Sequence, residues 1–452
     1  MFETTMLNSK NIGILINDEK PYKEFEELLI PTLKTKGMKI YYLFTLQNSS
    51  LGIKNKFIIR SRIARIIHKT YHDSLLWKNR DLSVSYKFRA IGKFGSNAQR
   101  ILNSNNFLPQ IRPSSFLVRI IIRFISQEIF TNLMKVYLNL VVFPFVSIKN
   151  KTILNKIDIL LVPYGARMSI EEDFAIWYAK KLNIKSVAIQ ENWDNLSSKK
   201  FIFSQVDYFI TWGLQSTDHL RTFQNYKGET KEFGCMRMQQ FYKSKSAEIE
   251  NQFLRNGSIE NSKKKSRTFL FIGNGTINDF ELLDFLDNYV ESQAEAHLEN
   301  TFFIFRPHPY SRVDLSNRLL EIKNNKITID IPKKNEDNHY RLKLISDAEV
   351  VVGFYSTVLL ESLIMEKIVA IPSFLGSKTR YKAFDFLNDS PHYSGISQLS
   401  NLYNFHTGKS FEDFLNNLPK RINDSESNHI LNMCCENKDT VNEISSFLLD
   451  LI

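Results

Sequence analysis

The residues able to do chemistry fall in five short runs. Arg306-Pro-His308-Pro309 follows an apolar segment. Two prolines fix the backbone there, so that His308 projects from a rigid strand end. An imidazole so placed can donate to a phosphate oxygen or assist a leaving group, and Arg306 can pair with a diphosphate. The alternative is a structural histidine in a loop. Ser356-Thr357 follows Val350-Val-Val-Gly-Phe-Tyr and opens a helix. A hydroxyl at a helix start, beside free N–H groups and the positive end of the dipole, makes an anion site. Plain N-capping by Ser356 is the alternative, and both can hold at once. Glu361 stands among apolar residues in the same helix. It is directed either at a polar partner such as ribose hydroxyls or at a solvated face. Gly273-Asn274-Gly275-Thr276 follows an apolar run, and glycine there permits close backbone approach to a phosphate. It is not a full Gly-x-Gly-x-x-Gly fingerprint. The fifth run, Gln190 to Lys199, is dense in acids, amides and hydroxyls. Glu191 or Asp194 can serve as general base on an acceptor hydroxyl. Trp193 can stack on a sugar face, with Asn195 and Lys199 as further acceptor contacts. The alternative is a polar loop around a buried tryptophan.

These runs need rigid elements to hold them, and the hydrophobic pattern supplies them. Asn11–Asn17 reads as a buried strand, Tyr22–Lys36 as a helix and Lys39–Leu46 as a second strand. Alternation resumes with strands at Ile157–Val162, Ile184–Gln190 and Val206–Thr211, and with a helix at Ser169–Leu182. Ser244–Arg267 is polar and poor in apolar residues, which marks a boundary. The rhythm then restarts with strands at Thr268–Ile272, Thr301–Phe305, Lys326–Ile331, Glu349–Val352 and Ile368–Ile371. Strands each followed by a helix imply parallel, doubly wound sheets. The expected architecture is α/β: two Rossmann-like domains facing a cleft, residues 1–245 and 267–452, joined by a linker over 246–266. A basic, mostly helical insertion is expected over about 52–150. Ligands of such folds bind at the carboxyl ends of the strands.

The chain has 452 residues, 43% hydrophobic and 24% charged, ordinary for a globular protein of two or three domains. Three cysteines are too few for a disulfide framework or a Cys-rich zinc site. A reducing compartment is the default. No secretory signal and no membrane span is expected from the hydropathy. The net charge is +11, and it is unevenly placed. Between Gly52 and Arg123 stand fifteen Lys/Arg and two acids, while the remainder is close to neutral. Arg60, Arg62, Arg65 and Lys69 alternate there with Ile58, Ile59, Ile63, Ile66 and Ile67. Such a stretch suits an amphipathic helix on an anionic membrane. A core helix with solvated arginines and a nucleic-acid surface are the alternatives, but no nucleic-acid motif accompanies the charge. There is no Asp-x-Asp, no Walker A sequence and no Gly-x-Ser-x-Gly elbow. No metal is therefore expected at the phosphate.

Arg306-Pro-His-Pro309, together with Ser346 through Glu361, resembles the nucleotide-binding half of GT-B glycosyltransferases. The likeness is to bacterial surface-polysaccharide enzymes of the His-Pro/Ser motif type, such as sialyl-, Kdo- and CDP-glycerol transferases. Phe233 through Tyr242 resembles the Gly-x-x-Arg segment that closes many of their first domains. The likeness covers about residues 157–375. It implies that His308, Ser356 and Thr357 contact the donor phosphate and that Glu361 contacts ribose. It also implies a CMP- or UDP-linked sugar donor, a glycan or lipid-linked acceptor, no cofactor, and a cytoplasmic place at the inner membrane face. A CDP-alcohol phosphotransferase and a soluble sugar-nucleotide 2-epimerase share the layout. The phosphotransferases' usual Trp-His-Gly is Trp193-Asp-Asn195 here.

Overall fold

The computed structural model describes residues 10–17, 19–45, 59, 61–79, 128–145, 151–165, 169–199, 201–245, 267–274, 278–294, 298–309, 316–322, 324–333, 338–354, 356–375, 390–422 and 425–452. These form two compact α/β units, each built on one six-stranded parallel sheet.

The first sheet has the order β2-β1-β3-β4-β5-β6. Its strands are β1 (Asn11–Ile16), β2 (Lys39–Phe44), β3 (Ile159–Tyr164), β4 (Lys185–Gln190), β5 (Tyr208–Thr211) and β6 (Glu229–Glu232). All six residues of β3 are buried, as a strand covered by helices on both faces requires. Five helices bear on the argument in this unit and at its return: α1 (Arg62–Lys78), α2 (Glu128–Tyr137), α3 (Ile170–Lys181), α4 (Leu214–Gln224) and, near the C-terminus, Thr440–Asp450. Ser169 starts α3 by accepting the Glu172 N–H at 3.4 Å, and Glu171, Glu172 and Asp173 fill its first turn, where the dipole favours acids.

The second sheet has the order β12-β11-β10-β7-β8-β9. Its strands are β7 (Arg267–Ile272), β8 (Thr301–Arg306), β9 (Ile327–Ile329), β10 (Val350–Gly353), β11 (Ile368–Pro372) and β12 (Leu402–Phe405). The helices that position its edge are α5 (Asn278–Ser292), α6 (Asn338–Asp347) and α7 (Thr357–Ile364). Stacked and tilted phenylalanine pairs, Phe269 with Phe303 and Phe285 with Phe411 among them, pack in its core.

The doubly wound α/β expectation holds in both sheets. The edge strands β6 and β12 were not legible: β6 reads Glu-Thr-Lys-Glu and is only half-buried, so it lacks the apolar run that marks a central strand. The division of the chain also differs from the expected one. The first unit runs to Gln239 and takes back the segment Met433–Ile452, while the second spans Gln240–Asn432. The helix Thr440–Asp450, α8, buries Ile444 and Leu448 with Phe25 and Leu29 of the first unit. Its apolar face therefore belongs to the first core and not to the domain that precedes it in sequence.

Of the basic stretch, α1, Ile59 and α2 with its continuation to Phe145 lie among the described residues; Arg60, Arg119 and Arg123 do not. Arg65 is not turned to a surface partner. It pairs with Glu171 and donates to the Ile59 carbonyl, because three buried acids at the start of α3 demand a cation.

Candidate functional site

In the second sheet the chain winds outward from β7 through β8 to β9, then returns to the other side of β7 as β10. The reversal between β7 and β10 is where open α/β sheets bind ligands. Gly353 of β10 is in register with Ile272 of β7, and Ile272 with Arg306 of β8. The runs singled out by sequence, Gly273-Asn274, Pro307–Pro309 and Ser356-Thr357, thus leave adjacent strand ends.

Each residue there has a definite setting. Ser356 is extended, its carbonyl accepts the Leu359 N–H at 3.1 Å, and its side chain makes no capping bond to α7. The plain N-cap alternative is not realised. Thr357 is the first residue of α7 and is half-buried, and His308 is half-buried just past the end of β8. Glu361 is 1% exposed, which excludes a solvated face; its Oε2 lies 3.1 Å from Nε of Arg341 on α6.

Two of these residues meet carboxylates of the protein itself. The Arg306 guanidinium forms an ion pair with Asp330 and lies 5.5 Å from the Tyr340 ring centre, while the Tyr340 hydroxyl donates to Asp330 at 3.0 Å. It is thereby held by the protein's own carboxylate. A Cβ on Gly273 would sit 2.6 Å from Asp279 Oδ2, and Asp279 accepts the Asn274 N–H at 2.7 Å. This glycine permits the close approach of a carboxylate of α5. Gly275 lies outside the described residues.

The first sheet reverses in the same way between β1 and β3. Glu191 follows β4, donates its N–H to the Tyr164 carbonyl at 3.2 Å, and rests its carboxylate against Gly165, where any Cβ would collide with it. Its Oε1 is enclosed, and Asp194 is half-buried in the next turn. Trp193 is 2% exposed and donates its indole N–H to Gln215 Oε1 at 2.8 Å. Asn195 is fully buried and donates to the Tyr164 carbonyl at 2.8 Å. Both fasten the loop to the elements beside it. The side chain of Lys199 lies outside the described residues.

Sequence reasoning missed the groups that hold this loop. Arg237, in the Gly-x-x-Arg segment, is buried, bonds Glu24 at 3.1 Å and Asn192 at 3.3 Å, and lies 5.1 Å from the Trp212 ring centre. Gly234 precedes it at φ 84°, and a Cβ there would meet the Glu436 carbonyl oxygen at 2.5 Å.

A second group went unread. His68 and His72 on α1 converge on Asp173 of α3, and all three are buried. His68 Nε2 is 2.6 Å and His72 Nε2 3.4 Å from the same Asp173 Oδ2, and the two nitrogens are 3.2 Å apart. Burial pushes the Asp173 carboxyl up, but hydrogen bonds and charge from the two imidazoles outweigh it and hold the group well below the usual range. The signal was present as His-x-x-x-His, one helical turn apart on a single face. Among the described residues this is the group able to hold a metal.

No protein-family model matches the chain, and no curated protein matches it in sequence. Among solved structures it is similar to the UDP-GlcNAc 2-epimerase of Methanocaldococcus jannaschii, at 11% identity over 97% of this chain and 99% of that one, with a TM-score of 0.48. It is similar to S. aureus MnaA, solved with UDP, at 10% identity over 98% of each chain and a TM-score of 0.45. It is also similar to the wall teichoic acid polymerase TagF, at 13% identity over 66% of this chain and 72% of that one, with a TM-score of 0.40.

Proposed function

We propose that the protein is a sugar-nucleotide enzyme of the GT-B type, and within that class a glycosyltransferase acting on a glycan or lipid-linked acceptor. The observation that carries this is the α7 start: a helix N-terminus, uncapped by its own Ser356, at the topological reversal between β7 and β10. Backbone N–H groups and the dipole there favour a phosphate, and the Ser356 hydroxyl is left to face it. His308, from the next strand end, donates to the departing diphosphate as negative charge develops on it. This neutralisation needs no metal at the phosphate. Glu361 meets the ribose while Arg341 fixes its carboxylate. Glu191 or Asp194 takes the acceptor hydroxyl's proton.

A specific observation favours transfer to a membrane acceptor over soluble epimerisation. Ile129, Leu133, Val136 and Leu140 form one exposed stripe along α2 and its continuation, Ile129 at 71%, and Phe145 beyond them is 83% exposed. Ile63 and Ile66 are exposed on α1, with Arg62 and Lys69 beside them. Apolar side chains flanked by lysine and arginine suit the interface of an anionic bilayer. No described helix is long and apolar enough to cross a membrane.

The test is calorimetric binding of CMP, CDP, UMP, UDP and GDP to the protein and to His308→Ala. One base family should bind, its diphosphate and monophosphate differing in affinity, and His308→Ala should weaken it while the fold persists. If none of the five binds, or if His308→Ala binds as well as the parent, the phosphate site is wrong.

A further inference from the structure

We propose that His68, His72 and Asp173 bind a divalent transition metal of the zinc class, which fastens the basic helix α1 to the first α/β unit. The site is separate from the sugar-nucleotide reading and does not depend on it.

Geometry is the first ground. A zinc-class ion holds imidazole nitrogen and carboxylate oxygen at about 2.0–2.1 Å, which places tetrahedral ligand atoms about 3.3 Å from one another. The His68–His72 and His72–Asp173 separations, 3.2 and 3.4 Å, already have that size. The His68–Asp173 separation, 2.6 Å, is that of a hydrogen bond, and it opens when the shared proton is replaced by the ion. Histidines one turn apart on a helix and an acid from a facing helix make a three-ligand set with nitrogen and oxygen donors.

The second ground is what protons alone can do. Three heteroatoms meet pairwise, yet an imidazole Nε2 carries either one hydrogen or one lone pair. If both nitrogens donate to Asp173, their hydrogens crowd each other across 3.2 Å. If His72 donates to His68, the His68 lone pair faces the carboxylate. At most two of the three contacts can be hydrogen bonds, whereas one cation satisfies all three.

Charge is the third. Glu171, Glu172 and Asp173 are consecutive and buried, and Arg65 serves Glu171. A divalent ion on Asp173 relieves the excess negative charge in this interior. A cavity of about 10 Å³ adjoins the cluster, lined by His72, Asp173 and Ser204 among others. That is room for about one water, the fourth ligand of a three-residue site. The Ser204 N–H, 3.3 Å from Asp173 Oδ1, orients the ligating carboxylate from behind.

The test uses the full-length protein stripped with chelator and titrated with cobalt(II) alone, then with zinc(II). Visible bands of tetrahedral intensity should appear at one equivalent and be displaced by zinc. His72→Gln and Asp173→Asn should each weaken zinc binding by roughly 100-fold or more, since even outer-shell partners contribute 10–100-fold. Arg62→Ala, on the same helix, should leave it unchanged. X-ray absorption on the zinc-loaded parent should show two imidazoles and oxygen, which decides the ligands even where a variant fails to fold. Absence of the cobalt bands overturns the proposal, as does binding that survives both ligand variants or a shell containing sulfur or oxygen alone. In those cases the three residues form a hydrogen-bonded contact only.

Discussion

At the scale of single residues, polar groups at each sheet edge are partnered largely within their own unit. Asp279 is the clearest instance, because its carboxylate fills the space that a Cβ on Gly273 would need. Gly273→Ala should therefore cost about 1–3 kcal/mol by overpacking. In the Asp279→Ala background the same change should cost much less, and urea midpoints of the four proteins would read the difference. Glu361 and Arg341 form a similar pair between α6 and α7. Glu361→Gln and Arg341→Met should be non-additive, with a coupling of about 1 kcal/mol or more. Additive losses would show that the ion pair does not hold the acid, and that its orientation toward ribose has another cause.

Elements impose what residues alone cannot. The α7 N-terminus gains meaning from the strand that feeds it, since Gly353 brings β10 against the Ile272 carbonyl, where a Cβ would lie at 3.0 Å. Ser356→Ala normally removes a cap worth about 0.5–2 kcal/mol, but no such bond is made here. The variant should keep the parent's thermal midpoint within about 1 °C while losing nucleotide affinity by roughly 10–150-fold, the value of one charge-assisted hydrogen bond. A lowered midpoint with unchanged affinity would return Ser356 to plain capping. The Met433–Ile452 segment makes a comparable point through its thiols. Burial raises Cys434 to about 12 and Cys435 well above the ordinary range. Cys235 is raised to about 11 by burial, with Arg237 opposing. The fold holds all three as neutral thiols, whereas unfolded cysteine ionises near about 8.5. Their contribution to stability is complete below that pH and falls as pH rises toward 11–12. Native protein at pH 7.5 should react with a thiol reagent only on the timescale of unfolding, and denaturant midpoints should decline from pH 8.5 upward.

For the whole molecule, the exposed apolar stripe of α2 follows directly in sequence on the stretch Gly52–Arg123 that carries the charge excess. Vesicles with anionic lipid should bind the protein, and binding should weaken steeply as salt shortens the Debye length. Ile129→Ser, Leu133→Ser and Leu140→Ser together should lower binding by at least about tenfold, since each partly buries an aliphatic side chain in the interface. Nucleotide binding should be untouched. Arg65 is not among the residues to reverse, because its loss would strand Glu171 in the interior. If vesicle binding were indifferent to both salt and the triple variant, the stripe would not be a membrane face.

Periodicity and punctuation carried the plan of both sheets. Runs such as Ile-Leu-Leu-Val suit central parallel strands, and a glycine or proline at the end of several, as in Gly273, Pro307 and Gly353, marks the carboxyl edge where ligands of such sheets bind. The same local signals placed His308 at a strand end, Ser356 at a helix start and Glu361 inside that helix, since those positions follow from the order of elements alone. Partnership was another matter. Residue type does not report burial: Trp193 is tied to Gln215, 22 residues away, and Asn195 to the Tyr164 carbonyl. Arg306 looked available until Asp330 was brought to it. The helix Thr440–Asp450 reads as the end of the second domain, yet its apolar face fits the first core. His68 and His72 meet an aspartate about 100 residues away because packing α1 on α3 was required to bury Ala64 and Tyr71. Local sequence determines which backbone conformation a segment adopts. Which charges meet is decided by burial, because a polar group taken from water must find its partner wherever the chain's packing delivers one.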